Sequence, residues 1–117
     1  MPTLLRYQRG GKFTLHADAE AQNEQTGERF RIVERDVSLL IYLNDDYIGG
    51  ELQFSYWNYT YKSRAGDLVF FPSNRIYSHQ SLPLKSGQKY SLASWAQGVN
   101  INRENIDPQR QILTPLR

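Results

Sequence analysis

The chain has no cysteine among its 117 residues. Disulfide bridges and thiolate metal sites are thereby excluded, although the lack of cysteine is neutral on compartment. Histidine is scarce too: His16 and His79 are the only two. No apolar run approaches the ~20 residues that a membrane-spanning helix needs, and no signal-peptide pattern stands out. A cytoplasmic location is therefore the expectation. Neither sign of charge dominates: 14 Lys and Arg oppose 12 Asp and Glu, for a net +2. That balance is too mild and too dispersed to argue for nucleic-acid binding by itself. Aromatic side chains are what the sequence has in quantity: eight Tyr, five Phe and two Trp, a load that favours strands. With 39% apolar and 22% charged residues the chain is globular, and its length suits one domain with one core.

Turn residues divide the sequence into short extended segments. Leu4–Tyr7 and Lys12–Asp18 read as strands separated by Gly10-Gly11. Ala19–Glu28 is polar and reads as an exposed loop. Val37–Leu43 is apolar at nearly every position, the pattern of a strand covered on both faces. Glu51–Trp57, Asn58–Lys62, Leu68–Phe71, Ile76–Leu82 and Gln88–Trp95 follow as strands, and Pro83–Gly87 as a loop. The pattern fades from Ala96, with a short helix expected within Val99–Ile112. About eight strands with turns between them predict an all-β sandwich or barrel, of which the double-sheet jelly roll is one solution.

The two histidines carry the chemistry. Side chains at i and i+2 of a strand share a face, so His16 and Asp18 can bind one ion if Leu15–Asp18 is extended. His79 would arrive from another strand. Two imidazoles and one carboxylate on one side of an ion leave open positions for a co-substrate and O₂, which suits non-haem Fe(II); ligand type alone leaves zinc open. Lys89 lies ten residues beyond His79. Parity places Lys89, Ser91, Ala93 and Trp95 on one strand face, where the small residues leave room beside the lysine.

In order along the chain, Arg6-Tyr7, Leu15-His16-Ala17-Asp18, Leu39–Asp45, Gly49-Gly50-Glu51-Leu52, Ala65–Pro72, Ser78-His79 and Gly87–Tyr90 leading to Trp95 resemble the iron(II)- and 2-oxoglutarate-dependent dioxygenases, in their prolyl 4-hydroxylase-like branch. The resemblance implies a double-stranded β-helix with little helix, spanning residues 1–117 as one domain, with a core to residue 95 and a tail over 96–117. It implies His16, Asp18 and His79 as iron ligands. Lys89 would pair with the distal carboxylate of 2-oxoglutarate, Tyr42 would hydrogen-bond it, and Tyr7 would line the same pocket. The implied cofactors are Fe(II), 2-oxoglutarate and O₂, with ascorbate a further candidate. The implied reaction converts 2-oxoglutarate to succinate and CO₂ while a C–H bond, such as that of a peptidyl proline, is hydroxylated.

Other readings stay open. A metal-binding jelly roll without hydroxylase activity, cupin-like or a degraded dioxygenase, uses similar ligands. Tyr42 and Tyr7 are also plain core candidates. Glu51 reads as part of a turn and Arg75 as a surface residue. Trp57, Tyr59 and Tyr61 are either a substrate groove or cross-strand packing. Free amino acids, small metabolites and modified nucleobases are alternatives to a protein substrate. The N-terminal helices of relatives are expected to be absent, since Tyr7 comes so early; the uncovered sheet face would then be apolar and available to a second copy or another chain.

Overall fold

In the computed structural model, which describes residues 2–31 and 35–99, the aromatic-rich segments form twelve short strands. They are β1 (Thr3–Tyr7), β2 (Phe13–His16), β3 (Glu20–Gln22), β4 (Arg29–Arg31), β5 (Val37–Tyr42), β6 (Ile48–Gly49), β7 (Leu52–Phe54), β8 (Tyr59–Tyr61), β9 (Leu68–Pro72), β10 (His79–Ser81), β11 (Leu84–Ser86) and β12 (Lys89–Ala96). Pairing is antiparallel throughout. A major sheet runs β1-β12-β5-β9 and a minor sheet β2-β10-β7-β8. Tyr42, Val69 and Phe71 of the major sheet share one buried cluster with Leu52, Phe54 and Tyr61 of the minor sheet. This is the expected jelly roll, all β and without an α-helix among the described residues. No helix of the described residues is long and apolar enough to cross a membrane.

Strand parity decides what faces that core. Leu52 and Phe54 are buried in β7 while Gln53, between them, points outward. Phe54 is 0% exposed and meets the rings of Phe71, Tyr77 and His79 at centroid distances of 5.0, 6.2 and 5.7 Å. The core thus ends against one of the candidate ligands.

Four local expectations differ from the structure. Ala19–Glu28 is not one loop: β3 and β4 pair as a hairpin, because the Asn23 side chain accepts from the backbone N–H groups of Gln25 and Thr26 and organises the turn. The strand carrying His79 begins late. Asn74 caps a 3-10 turn at Arg75–Tyr77 by accepting from Ile76 N, which consumes the first half of the expected extended segment. Leu84–Ser86 is a strand, paired with β6. Val37–Leu43 is covered on its inner face only, and Ile41 and Leu43 are 39% and 47% exposed.

The last difference extends across the sheet. Register aligns Leu4, Leu92, Ile41 and Leu68 in one row over all four strands. On β10, β7 and β8 of the minor sheet the outward residues are polar, with Gln80 bonded to Gln53 and Gln53 to Thr60. The helix expected within Val99–Ile112 and most of the 96–117 tail lie outside the described residues.

Truncating Phe54 should expose how much the fold depends on this core. Phe54→Ala is expected to lower the unfolding free energy by about 3–5 kcal/mol, read by urea denaturation. Thr60→Ala, exposed on the neighbouring strand, is expected to change it by less than about 1 kcal/mol.

Candidate metal centre

The register between β2 and β10 of the minor sheet builds the site. His79 on β10 lies directly opposite His16 on β2, and their ring centroids are 4.4 Å apart. Asp18 reaches the same point differently from the expectation. β2 ends at His16, and Asp18 sits in a bend beyond it, where Ala19 N donates to Ser73 O and ties the turn to the other sheet. Ligand atoms of His16, Asp18 and His79 all lie within 4.8 Å of one another.

The hydrogen bonds define which atoms point inward. His16 Nδ1 lies 2.7 Å from Thr14 O, and His79 Nδ1 lies 2.9 Å from Tyr77 O. A carbonyl only accepts, so each Nδ1 must carry the proton. In a neutral ring Nε2 is then an acceptor, and both Nε2 atoms face Asp18 Oδ1, at 3.0 and 3.5 Å. Three acceptors converge, and such a set is stable only around a proton or a cation. Burial holds the His79 pKa below its ordinary value despite nearby Asp18. Burial also acts against the charged form of His16, but the Asp18 carboxylate and the Thr14 carbonyl outweigh it and raise that pKa. Asp18 stays ionised: burial works against this, yet His16, His79, Ser38 and Trp95 hold its carboxyl well below the usual range. The donor set therefore fits a divalent ion with nitrogen and oxygen preference.

The second oxygen of Asp18 is also occupied. Oδ2 accepts from Ser38 Oγ at 2.6 Å and from Trp95 Nε1 at 3.1 Å, and Ser38 shares a further bond with Ser73 at 2.8 Å. These partners orient the carboxylate as outer-shell groups orient metal ligands. Arg35 lies over the Trp95 ring, 3.8 Å from its centroid, and donates to Asp18 O.

A cavity of ≈ 380 Å³ opens from the triad into the space between the sheets, lined also by Tyr7, Tyr42, Ser81, Lys89, Ser91 and Trp95. The expected parity along β12 holds, since Lys89, Ser91, Ala93 and Trp95 all face it. Lys89 is 3% exposed. Its Nζ donates to Gly50 O at 2.8 Å and Ser81 Oγ at 3.0 Å and lies 4.6 Å from the Tyr7 ring centroid and 5.5 Å from that of Tyr42. No carboxylate of the described residues lies within 4.0 Å of it. His79 and Ser81 share a face of β10, about 7 Å apart along the strand, so the cation stands a small dicarboxylate's length from the triad. Burial pushes the hydroxyl pKa of Tyr42 up; that hydroxyl makes no hydrogen bond among the described residues. Tyr7 is likewise raised by burial, with Ser81 pulling the other way.

Ser38, Ser73, Ser81, Arg35 and Gly50 escaped the sequence reading. Ser81 had a signal, two residues after His79 on the same face. Gly50 had one in its doublet: with φ +69, a Cβ there would press on Lys89 Cδ and Leu84 Cδ1 at 3.3 and 3.1 Å. Glu51, Arg75, Trp57, Tyr59 and Tyr61 do not line the cavity. Trp57 packs on Tyr77, and Tyr59 stacks on Tyr61.

Comparison with known proteins adds an independent line. The model of the 2OG-Fe(II) oxygenase superfamily matches residues 2–97. A PKHD-type hydroxylase of Psychrobacter sp. is 34% identical over 119 residues, covering 98% of this chain and 43% of that protein. One from Pseudomonas putida is 35% identical over 117 residues, covering 96% and 48%. The chain thus spans less than half the length of these curated relatives. The crystal structure of a Pseudomonas putida prolyl-4-hydroxylase is similar at a TM-score of 0.61 and 26% identity, over 82% of this chain and 50% of that one. The 2OG complex of a viral collagen prolyl hydroxylase from Paramecium Bursaria Chlorella virus-1 shares the fold, with a TM-score of 0.64, 23% identity and coverage of 86% and 62%.

The buried ammonium makes a pH prediction. Burial, with Lys62 adding to it and Glu51 offsetting part, pushes the Lys89 pKa from 10.5 down to about 8. Between those values the unfolded chain holds a proton that the folded chain has released, so stability rises with pH through that window; below about 8 the whole cost remains. Lys89→Met is expected to be more stable than the parent near neutral pH, with the gap narrowing as pH rises. Parallel urea-denaturation stabilities of the two metal-free proteins across the window would refute this.

Proposed function

The chain belongs to the 2OG-Fe(II) oxygenase superfamily, and from that premise we propose that it binds Fe(II) through His16, Asp18 and His79 and hydroxylates a C–H bond at the expense of 2-oxoglutarate and O₂. The observation that carries this reading is a buried ammonium, Lys89, facing the same cavity as three convergent acceptor atoms. A metal-binding module without this chemistry gives that ammonium no task. When bound, Fe(II) with 2-oxoglutarate and O₂ supplies the oxidation of C–H to C–OH, with succinate and CO₂ as the other products.

The residues of the chain do the positioning. Thr14 O and Tyr77 O fix the ring tautomers so that both Nε2 lone pairs face the ion. Ser38 and Trp95 hold the Asp18 carboxylate with Oδ1 toward it. Lys89 neutralises the distal carboxylate of 2-oxoglutarate in a site where water cannot, and the Tyr42 hydroxyl donates a hydrogen bond to it. Tyr7 covers the ammonium and keeps it dry. Peptidyl proline is the substrate that the names of the similar hydroxylases suggest. As for partners, the apolar row of Leu4, Leu92, Ile41 and Leu68 is the surface on which a second copy would pack.

Fe(II) and 2-oxoglutarate added to the metal-free protein without oxygen should give a weak visible charge-transfer band. His16→Ala and His79→Ala are expected to lose both the band and the bound iron. Lys89→Ala is expected to keep the iron while needing ~30-fold or more 2-oxoglutarate, the loss of ~2 kcal/mol or more that follows truncation of a buried charge partner. Unchanged affinity in that variant would remove Lys89 from the co-substrate site. Light scattering that finds a single chain at every concentration would reject the second copy.

A further inference from the structure

The connection between β1 and β2 forms a second hollow beside the metal centre. Arg6, Arg9 and Lys12 line it, all three exposed. It shares Leu5, Tyr7 and Phe13 with the cavity of the triad, so the two adjoin along β1 and the start of β2. Among the described residues, Asp18 is the only acidic one along either part. None of the three cations has an ion-pair partner among the described residues. Unpaired cations grouped along one path attract an anionic ligand by long-range steering as well as by contact.

The groove walls narrow the class of that ligand. β1 and β2 are each the edge strand of their sheet, so each has one side without a strand partner. A strand edge presents N–H donors and C=O acceptors in alternation, and an extended peptide can meet both. A phosphodiester backbone has acceptors only and would leave the carbonyls unmatched. Phe13, at 44% exposure, and Leu5 add apolar surface on the two strands.

We propose that the substrate is an acidic polypeptide: the residue to be modified sits at the triad, and carboxylates flanking it lie along Arg6, Arg9 and Lys12. This rests on the hydroxylase reading above and gives it a substrate class. The probe is a short fluorescein-labelled peptide of repeated Glu-Ala-Pro, titrated with the full chain and followed by anisotropy. The same peptide with Gln for Glu, and a single-stranded oligonucleotide of equal length, serve as comparisons. The acidic peptide is expected to bind ~10-fold tighter than its Gln counterpart, with affinity falling as salt rises. Arg9→Glu combined with Lys12→Glu is expected to lower that affinity ~10-fold or more, while the melting temperature and the charge-transfer band with Fe(II) and 2-oxoglutarate stay as in the parent. Equal binding of both peptides, no response to charge reversal, or tighter binding of the oligonucleotide would each overturn the proposal. The two readings fail separately: a missing charge-transfer band with acid-selective binding intact counts against the hydroxylase, and a normal band without acid preference counts against the groove.

Discussion

One carboxylate ties the two sheets together at the site. Asp18 Oδ1 faces the imidazoles of the minor sheet, and Oδ2 accepts from Ser38 and Trp95 of the major sheet. A charge whose side chain is 9% exposed is costly unless its lone pairs are satisfied. Here Ser38 and Trp95 satisfy Oδ2 from two strands of one sheet while Oδ1 converges with imidazoles from two strands of the other, which makes the separation of the sheets at this end a condition for the charge to be tolerable. The centre and the fold are thus specified by the same bonds. Ser38 shows the coupling: it is a polar residue in the most apolar strand, 1% exposed, bonded to both Asp18 and Ser73.

Much of this was legible in the residues. Period-two alternation placed Lys89, Ser91, Ala93 and Trp95 on one face, and they line one cavity. The His-x-Asp spacing and the distant His79 brought the three side chains to one place. What alternation cannot show is where a strand stops. It put Asp18 on an extended strand, whereas a bend carries it, because the Ala19–Ser73 bond turns the chain toward the other sheet. The hairpin of β3 and β4 was hidden for a similar reason: its turn is held by an Asn23 side chain in a polar stretch without hydrophobic signal. Arg35 was invisible because its place depends on a ring sixty residues away in sequence. Such cross-sheet partners follow from topology, which periodicity does not encode.

Lys89 shows how stability and function oppose each other in this cavity. A buried ammonium with a depressed pKa weakens the empty fold, and the structure limits the cost with a glycine carbonyl, a serine hydroxyl and two aromatic faces. Gly50 belongs to that compensation. Only a residue without Cβ brings its carbonyl to Nζ in this backbone conformation without pressing on the lysine stem. These four neutral partners reduce the penalty without cancelling the charge, so the attraction for an anion survives. A carboxylate from the chain would have stabilised the lysine more and closed the site.

The sandwich is unequal on its four sides, and the inequality follows from which strands lie at its edges. The minor sheet carries a polar ladder of Gln80, Gln53 and Thr60 on the outer face of β10, β7 and β8, with Leu15 of β2 exposed at its edge. The major sheet presents Leu4, Ile41 and Phe70 at 61%, 39% and 42% exposure, a surface that layered folds place against another element. The far edges end in β9 and β8, away from the triad; the near edges end in β1 and β2, which supply Tyr7 and His16. Edge strands at a metal centre leave backbone groups beside reactive ones. The triad sits beside the edge strands β1 and β2, which border the cavity it opens into.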